Sequence, residues 1–277
     1  HQGFIQKRVA KLAKETIKRK ANIYTRSKED SSESLQNQYF HHIQQAIVEK
    51  HHNHYTLDEQ TGIRVSFGVV RMANIQPCVA LTEFLLASDW PDDIDVRCMA
   101  YHSQQVLLLR NEQERHLDQV LKRKELDGEL PAAFEHPVIR QHLNESSSKN
   151  LVFILVATPV EEVGRDHDFD WAVVEPSSYR SIIQMAGRVR RHRETAIDTP
   201  NIALMQYNWK GFEGQSERVF LRPGYETNVG LQLASHDLKQ IADEQQLLHA
   251  VNAIPRISKK TSIEPKNNLA DLEHFAT

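Results

Sequence analysis

Beyond residue 60 the chain alternates short apolar runs with segments whose apolar positions recur at helical spacing. The runs are Arg64 to Val70, Asp95 to Tyr101, Leu151 to Val156, Trp171 to Glu175 and Asn201 to Gln206. The third is unbroken by polar residues and ends at Ala157, which reads as a strand buried on both faces. Between the runs, Gln76 to Ser88, Arg110 to Lys124 and His136 to Leu143 carry amphipathic helical patterns. Strands alternating with helices predict a parallel sheet joined by right-handed crossovers. Residues 1–60 differ, with a largely polar helical pattern broken by the loop-like stretch Ser27 to Ser32. From about Lys210 the pattern loosens into loops and one helix near Leu238 to Val251. The expected organisation is a helical extension over 1–60, an α/β domain over 61–208 and a small accessory region over 209–277. No repeat of solenoid or propeller period runs through it.

A length of 277 residues suits one full α/β domain with an appendage. The formal net charge of −3 gives no global field that would draw the chain to nucleic acid, so any such surface is local. One local excess lies in the first twenty residues, where Lys7, Arg8, Lys11, Lys14, Lys18, Arg19 and Lys20 face the single acid Glu15. Its plainer reading is a solvated helix face, and its sharper one a helix that tracks phosphates. Cys78 and Cys98 lie in apolar segments without a CxxC partner, as free thiols of a reducing compartment do. No apolar stretch reaches the length of a membrane span and no signal-peptide pattern is present, so a cytoplasmic location is expected, without a membrane partner. The chain starts on His1 within a helical pattern, and we expect a fragment of a longer protein.

Candidate chemistry concentrates in residues 184–191, Gln-Met-Ala-Gly-Arg-Val-Arg-Arg. On a helix Gln184, Gly187, Arg188 and Arg191 share one face, while Ile182, Met185, Ala186 and Val189 share the opposite, core-facing one. Two rigid cationic forks on one stripe suit the charge that develops on a transferring phosphoryl group. Gly187 keeps the stripe low enough for a nucleotide or another backbone to approach. Upstream, Thr158, Glu161, Glu162, Gly164, Asp166, Asp168 and Asp170 form an acidic loop at the carboxyl end of the Leu151–Val156 strand. Open α/β sheets place their ligand sites at such ends.

The spacing Gln184-x-x-Gly187-Arg188-x-x-Arg191 resembles the sixth motif of superfamily-two helicases, which carries arginine fingers, and the Thr158–Asp170 loop resembles the fifth. Val70-Arg71-Met72-Ala73-Asn74 resembles the fourth, and Tyr101-His102-Ser103 the place where such domains touch the nucleic-acid backbone. The order of elements is that of the second RecA-like domain of a helicase motor. Three stretches narrow the likeness: Val65 to Asn74, Glu161 to Asp166, and Gly187 to Arg193. With the tail around Pro255-Arg256-Ile257 and Asn268 to His274, they resemble the CRISPR-associated type I helicase–nuclease, closest to its type I-F branch.

That resemblance implies an ATP-dependent DNA translocase lobe that feeds single-stranded DNA to an HD nuclease. It implies catalytic roles for Gln184, Arg188 and Arg191, and nucleotide contacts from Gly164, Asp166 and Gly187. DNA-backbone contacts fall to Thr158, Asn74 and His102. Implied partners are the first RecA-like domain and nuclease domain of the parent protein, single-stranded DNA and the RNA-guided CRISPR surveillance complex, with the spacer-integration proteins as a further candidate. Nothing in the chain matches Gly-x-x-x-x-Gly-Lys-Ser/Thr or an Asp-Glu-x-His box, so ATP and Mg are expected to be held mainly by the missing first domain. The expectation is half an ATPase site, inert alone.

Each residue also has a plainer reading. Thr158 serves a phosphate or caps its loop; Asn74 and His102 touch DNA or cap strand ends. Glu162 and Asp166 are expected to hold backbone amides and the arginines of the finger helix, since a carboxylate beside an arginine is stabilised as the anion and is a poor general base. Asp166 is also a candidate for the nucleotide sugar, and Gly164 for a turn with positive φ. His167-Asp168 belongs to the fifth motif and His236-Asp237 to a helix start, so neither is read as a nuclease pair. His41, His42, His51, His52 and His54 lack a carboxylate or Cys set at ligand spacing and read as a polar helix end rather than a metal site. Two alternatives stand beside the motor lobe: a DNA-binding or docking module built on the region after Asn208, and a lobe of an unrelated DNA or RNA helicase.

Overall fold

A computed structural model gives the architecture, describing all residues except 1, 26–31, 126–128, 163, 215, 228–229, 259, 261 and 277. The loop expected over Ser27–Ser32 lies, apart from Ser32, outside the described residues, as does Val163 of the acidic loop. Along the chain run α1 (Gln2–Leu12), β1 (Ala21–Tyr24), α2 (Leu35–His54), β2 (Thr56–Asp58), β3 (Ile63–Arg71), α3 (Ile75–Ala87), β4 (Ile94–Tyr101), α4 (Leu107–Val120) and α5 (Pro137–Glu145). Then follow β5 (Asn150–Ala157), β6 (Trp171–Val174), α6 (Tyr179–Ala186), β7 (Ile202–Met205), α7 (Trp209–Glu213), α8 (Leu238–Ile241), α9 (Glu244–His249), α10 (Ile254–Ile257) and α11 (Leu269–Ala276).

The strands form one sheet in the order β1-β7-β6-β3-β5-β4, all parallel, with β2 antiparallel to the start of β3. The expected parallel α/β sheet is therefore present, and its five expected strands lie within a residue or so of their predicted bounds. β3, β5, β6 and β7 are buried along almost their whole length, as central strands covered on both faces must be. Side chains alternate across β5, so that Leu151 and Leu155 enter one core while Val152, Ile154 and Val156 enter the other.

Residues 1–60 are not an outlying helical extension. Ala21–Tyr24 pairs in register with Ile202–Met205 and forms one border of the sheet. On α2, Tyr39, Phe40, Ile43, Ala46 and Ile47 are buried against Val70, Val173 and Ala203. These positions follow the helical period, and Ser34 starts the helix by accepting a hydrogen bond from the Asn37 amide at 3.2 Å. The 209–277 region closes the opposite core: Phe220, Leu238, Leu247, Leu269 and Leu272 join Val174, Ile182 and Leu204. The helix expected over Leu238–Val251 is two helices, broken where Asp243 caps α9 by accepting from the Gln246 amide at 3.0 Å. Cys78 is buried and Cys98 half-buried, both free. No helix among the described residues is long and apolar enough to cross a membrane.

Candidate functional site

Three adjacent strands end together. Met72 donates its amide to Ala157 O at 2.9 Å and Thr158 to Tyr101 O at 3.1 Å, so the carboxyl ends of β3, β5 and β4 stand side by side. Asn74, Thr158 and His102 emerge there in one row. Asn74 sits at the amino end of α3, exposed, with its side chain capping nothing. Thr158 is buried, and its hydroxyl makes no capping bond either. His102 is half-buried, its Nδ1 is buried without a partner, and burial lowers its pKa. The capping roles weighed for these three residues are thus not made by their side chains.

Beneath that edge lies a charged tie whose role the sequence does not disclose. Arg71, at the end of β3 and fully buried, donates from Nε to Glu162 Oε1 at 2.8 Å, from Nη1 to Glu175 O at 2.9 Å and from Nη2 to Ser177 Oγ at 2.7 Å. Glu162 also accepts from Ser181 Oγ in α6. One guanidinium therefore fixes the end of β3, the acidic loop and the loop leading to α6. A buried guanidinium with every fork engaged is geometrically rigid.

The acidic loop crosses from the carboxyl end of β5 to the amino end of β6, and Gly164 turns it with φ +72°, the positive-φ turn expected there. Beyond it the finger segment departs from expectation. α6 begins as predicted, with Ser178 accepting from the Ser181 amide at 3.0 Å and Ile182, Met185 and Ala186 buried, but it ends at Ala186. Gly187, Arg188 and Arg191 lie past the helix, so only Gln184 of the predicted stripe is on it. Phe169 donates to Arg188 O at 2.8 Å and Arg190 to Phe169 O at 2.9 Å, which draws residues 188–190 into a parallel bridge with the loop. Arg190 takes φ 45°, uncommon for a residue with a side chain, and this breaks the helical path.

The bridge splits the two arginines. Arg188 is buried and committed: Nη2 donates to Glu162 O at 2.9 Å and Nη1 to Arg165 O, while its Nε is buried without a partner. Burial lowers its pKa, with Arg191 nearby adding to the effect. Glu162 thus meets Arg188 through its carbonyl, and its carboxylate belongs to Arg71, a correction to the expected pairing. Arg191 is exposed and donates from Nε to Asp166 Oδ1 at 2.6 Å, as expected of Asp166. That bond, with His192 at 3.1 Å, lowers the Asp166 pKa.

The rest of the strap repeats this pairing inward. Asp168 accepts from Arg193 Nη2 at 2.5 Å and from the His192 amide at 2.9 Å. Asp170 takes Arg123 Nη1 and Arg193 Nη1, both at 2.6 Å, and the Phe67 amide at 2.8 Å. Burial alone would raise the Asp170 pKa, but the two guanidiniums outweigh it and bring it down to about 2. Alternating acids at 166, 168 and 170 opposite arginines at 191 and 193 are a signal of two facing extended segments, present in the sequence but masked there by the helical spacing. His167 lies between Glu161 Oε1 at 2.7 Å and Asp118 Oδ1 at 3.1 Å, tying the loop to α4. Of the other pair, His236 faces Glu226 at 3.0 Å and Asp237 caps α8.

Parallel strands carrying their polar residues at the carboxyl edge, with an arginine strap across one face, define an α/β protein of the RecA-like kind. Residues 64–194 match the family described as CRISPR-associated nuclease/helicase Cas3, C-terminal. The chain is 40% identical over 275 residues, 99% of its length, to the Cas3 subtype I-F/YPEST nuclease/helicase of Pseudomonas aeruginosa. It is 41% identical over 226 residues, 80% of its length, to that of Pectobacterium atrosepticum. The chain belongs to the Cas3 nuclease/helicase family and is most simply described as a part of it, since it spans 25% and 20% of those two relatives. Crystal structures of T. fusca Cas3-AMPPNP and Cas3-ATP show a loose likeness over 70% of the chain and under a fifth of theirs, with TM-scores of 0.42 and 0.43 at 11% and 12% identity.

Proposed function

We propose that this chain is the second motor lobe of an ATP-dependent DNA translocase that feeds single-stranded DNA to a nuclease in CRISPR interference. The observation that carries the reading is the split strap: a buried Arg188 that braces the loop, and beside it an exposed Arg191 resting on one surface carboxylate. Such a guanidinium is available to a phosphate at the cost of a single solvent-screened ion pair, worth roughly 0–1 kcal/mol. The residues present fit the phosphate end of ATP, with Arg191 presenting its fork and Asp166 orienting it. They do not provide the remainder of a nucleotide site, and among the described residues no group of His, Cys, Asp and Glu is arranged to hold a metal ion. Bound ATP supplies the transferable phosphoryl group, with Mg held mainly by the first lobe.

On this reading Arg191 neutralises charge developing on the phosphoryl oxygens, and Arg188 keeps the strap at the right height. Gln184, half-exposed on α6, completes the polar edge with Gly187 behind it and Gly164 shaping the facing loop. Thr158, Asn74 and His102 hold the DNA backbone at the strand ends, positioning contacts without sequence information. A second reading, a docking module, is favoured by one observation: Val106, Leu107, Leu108 and Leu109 stand 73%, 79%, 72% and 54% exposed beside that edge. An apolar run so exposed is an interaction surface. The two readings are compatible, the run meeting the rest of the parent protein or the surveillance complex.

In a full-length family chain carrying the corresponding substitution, Arg191→Ala is expected to lower the DNA-stimulated kcat for ATP by ~10³-fold or more. Arg191→Lys, which keeps charge but loses the fork, recovers only part. An unchanged kcat in Arg191→Ala would remove the finger role.

A further inference from the structure

Beside Asn74 the row of strand-end residues opens into a groove of about 750 Å³ that the motor reading leaves unused. Asn74 lines it on one side, Lys210 of α7 and Arg222 and Tyr225 of the following loop on the other. It is built rather than accidental. Glu175, buried, accepts the Ala73 amide at 2.5 Å and the Trp209 amide at 2.9 Å, which brings the first turn of α7 against the end of β3. The opposite wall is pinned from within. Glu226, 2% exposed, accepts the amides of Val219, Phe220 and Leu233 at 2.8, 2.7 and 2.9 Å and faces His236. Gly224 closes the turn, where a Cβ would fall 2.0 Å from Phe220 O, so the wall holds its shape only with glycine there.

The charges then sort themselves. Glu175 and Glu226 spend their carboxylates on backbone amides inside the protein. Lys210 and Arg222 are in no salt bridge among the described residues, and Arg222 is exposed. On a chain of net charge −3, this groove shows two cations, an amide and a half-buried aromatic ring. A cationic groove with an aromatic platform is the combination that takes a single strand, the cations tracking phosphates and the ring stacking a base.

We propose that this groove is a single-stranded-DNA site in which Lys210 and Arg222 hold phosphates and Tyr225 stacks a base, carrying the strand from His102, Thr158 and Asn74 into the C-terminal region. The proposal rests on the motor-lobe reading for the identity of the strand. The test is fluorescence anisotropy of a labelled oligothymidylate with this chain, titrated across salt concentration. Neutralising both cations in Lys210→Gln/Arg222→Gln is expected to flatten the slope of log K against log salt by about 1.4, from roughly 0.7 per phosphate released. Tyr225→Leu is expected to weaken binding ~10-fold and leave the slope unchanged. Lys7→Gln/Arg8→Gln on α1, an equal loss of charge, is expected to change neither. An unaltered affinity and slope in the groove variant, with binding still weakened by Thr158→Val, would overturn the groove and leave the motor lobe standing. Loss of slope in the α1 variant instead would place the phosphates on that helix and overturn the groove as well. No binding by the unaltered chain would overturn both.

Discussion

His51 is fully buried, its Nδ1 2.8 Å from Ser66 Oγ and its Nε2 3.1 Å from Asn150 Oδ1, and burial lowers its pKa to about 4. The folded state thus resists protonation that the unfolded chain accepts near pH 6.5. Its contribution to stability is complete above that pH and is lost as pH falls through the window down to about 4. Urea midpoints measured across this window should fall, and the fall should be smaller in His51→Gln; equal slopes in both proteins would contradict the assignment. The two strap arginines offer a second contrast. Arg188→Ala strips two buried carbonyls of their donor and should cost roughly 1–3 kcal/mol. Arg191→Ala loses only an exposed pair and should stay within about 0.5 kcal/mol of the parent. Equal destabilisation by the two would show that Arg191 is as architectural as its neighbour. Sequence pattern brought both to notice and could not tell them apart, because burial decides the difference and both carry the same charge.

At the scale of elements, the acidic loop, the end of β3 and α6 act as one unit through Arg71 and Glu162. Glu162→Gln leaves a buried guanidinium without its counter-charge and should destabilise by about 3–5 kcal/mol, read as a lowered Tm. A midpoint unchanged by that substitution would mean that the carbonyl of Glu175 and the hydroxyl of Ser177 suffice. The same unit shows where pattern reading stops. Residues 184–191 keep helical spacing to the end, yet the helix yields after Ala186 because Phe169 offers residues 188–190 a strand partner from elsewhere in the chain. Ala21–Tyr24 escaped notice for a related reason: four residues in a basic, polar stretch become a strand only because Ile202–Met205 is there to pair with them. The break before α9 was more accessible, since Asp243 and Gln246 stand at N-cap spacing. The buried central strands β3 and β5 were the most legible, their apolar runs leaving no second interpretation.

Across the whole molecule the expected three-part division gives way to shared cores. α2 covers one face of the sheet with residues from 1–60, and the 209–277 region covers the other, so a 61–208 fragment would expose both. Its near-UV circular dichroism and urea titration should show no cooperative transition; a sharp one at the parent's midpoint would restore an independent 61–208 domain. The position of the candidate site follows from this scale too. Strand ends set the DNA row and the crossover loop sets the arginine strap, and helicase-like spacing identified both. The groove past Asn74 went unread because Lys210, Arg222 and Tyr225 are scattered through loosely patterned chain and meet only through the buried anchors Glu175 and Glu226. The most direct test of the account is DNA-stimulated ATP hydrolysis by this chain alone and after mixing with the remaining part of a full-length relative. We predict silence alone, hydrolysis in the mixture, and its loss when the chain carries Arg191→Ala; robust hydrolysis by the purified chain on its own would contradict the half-site.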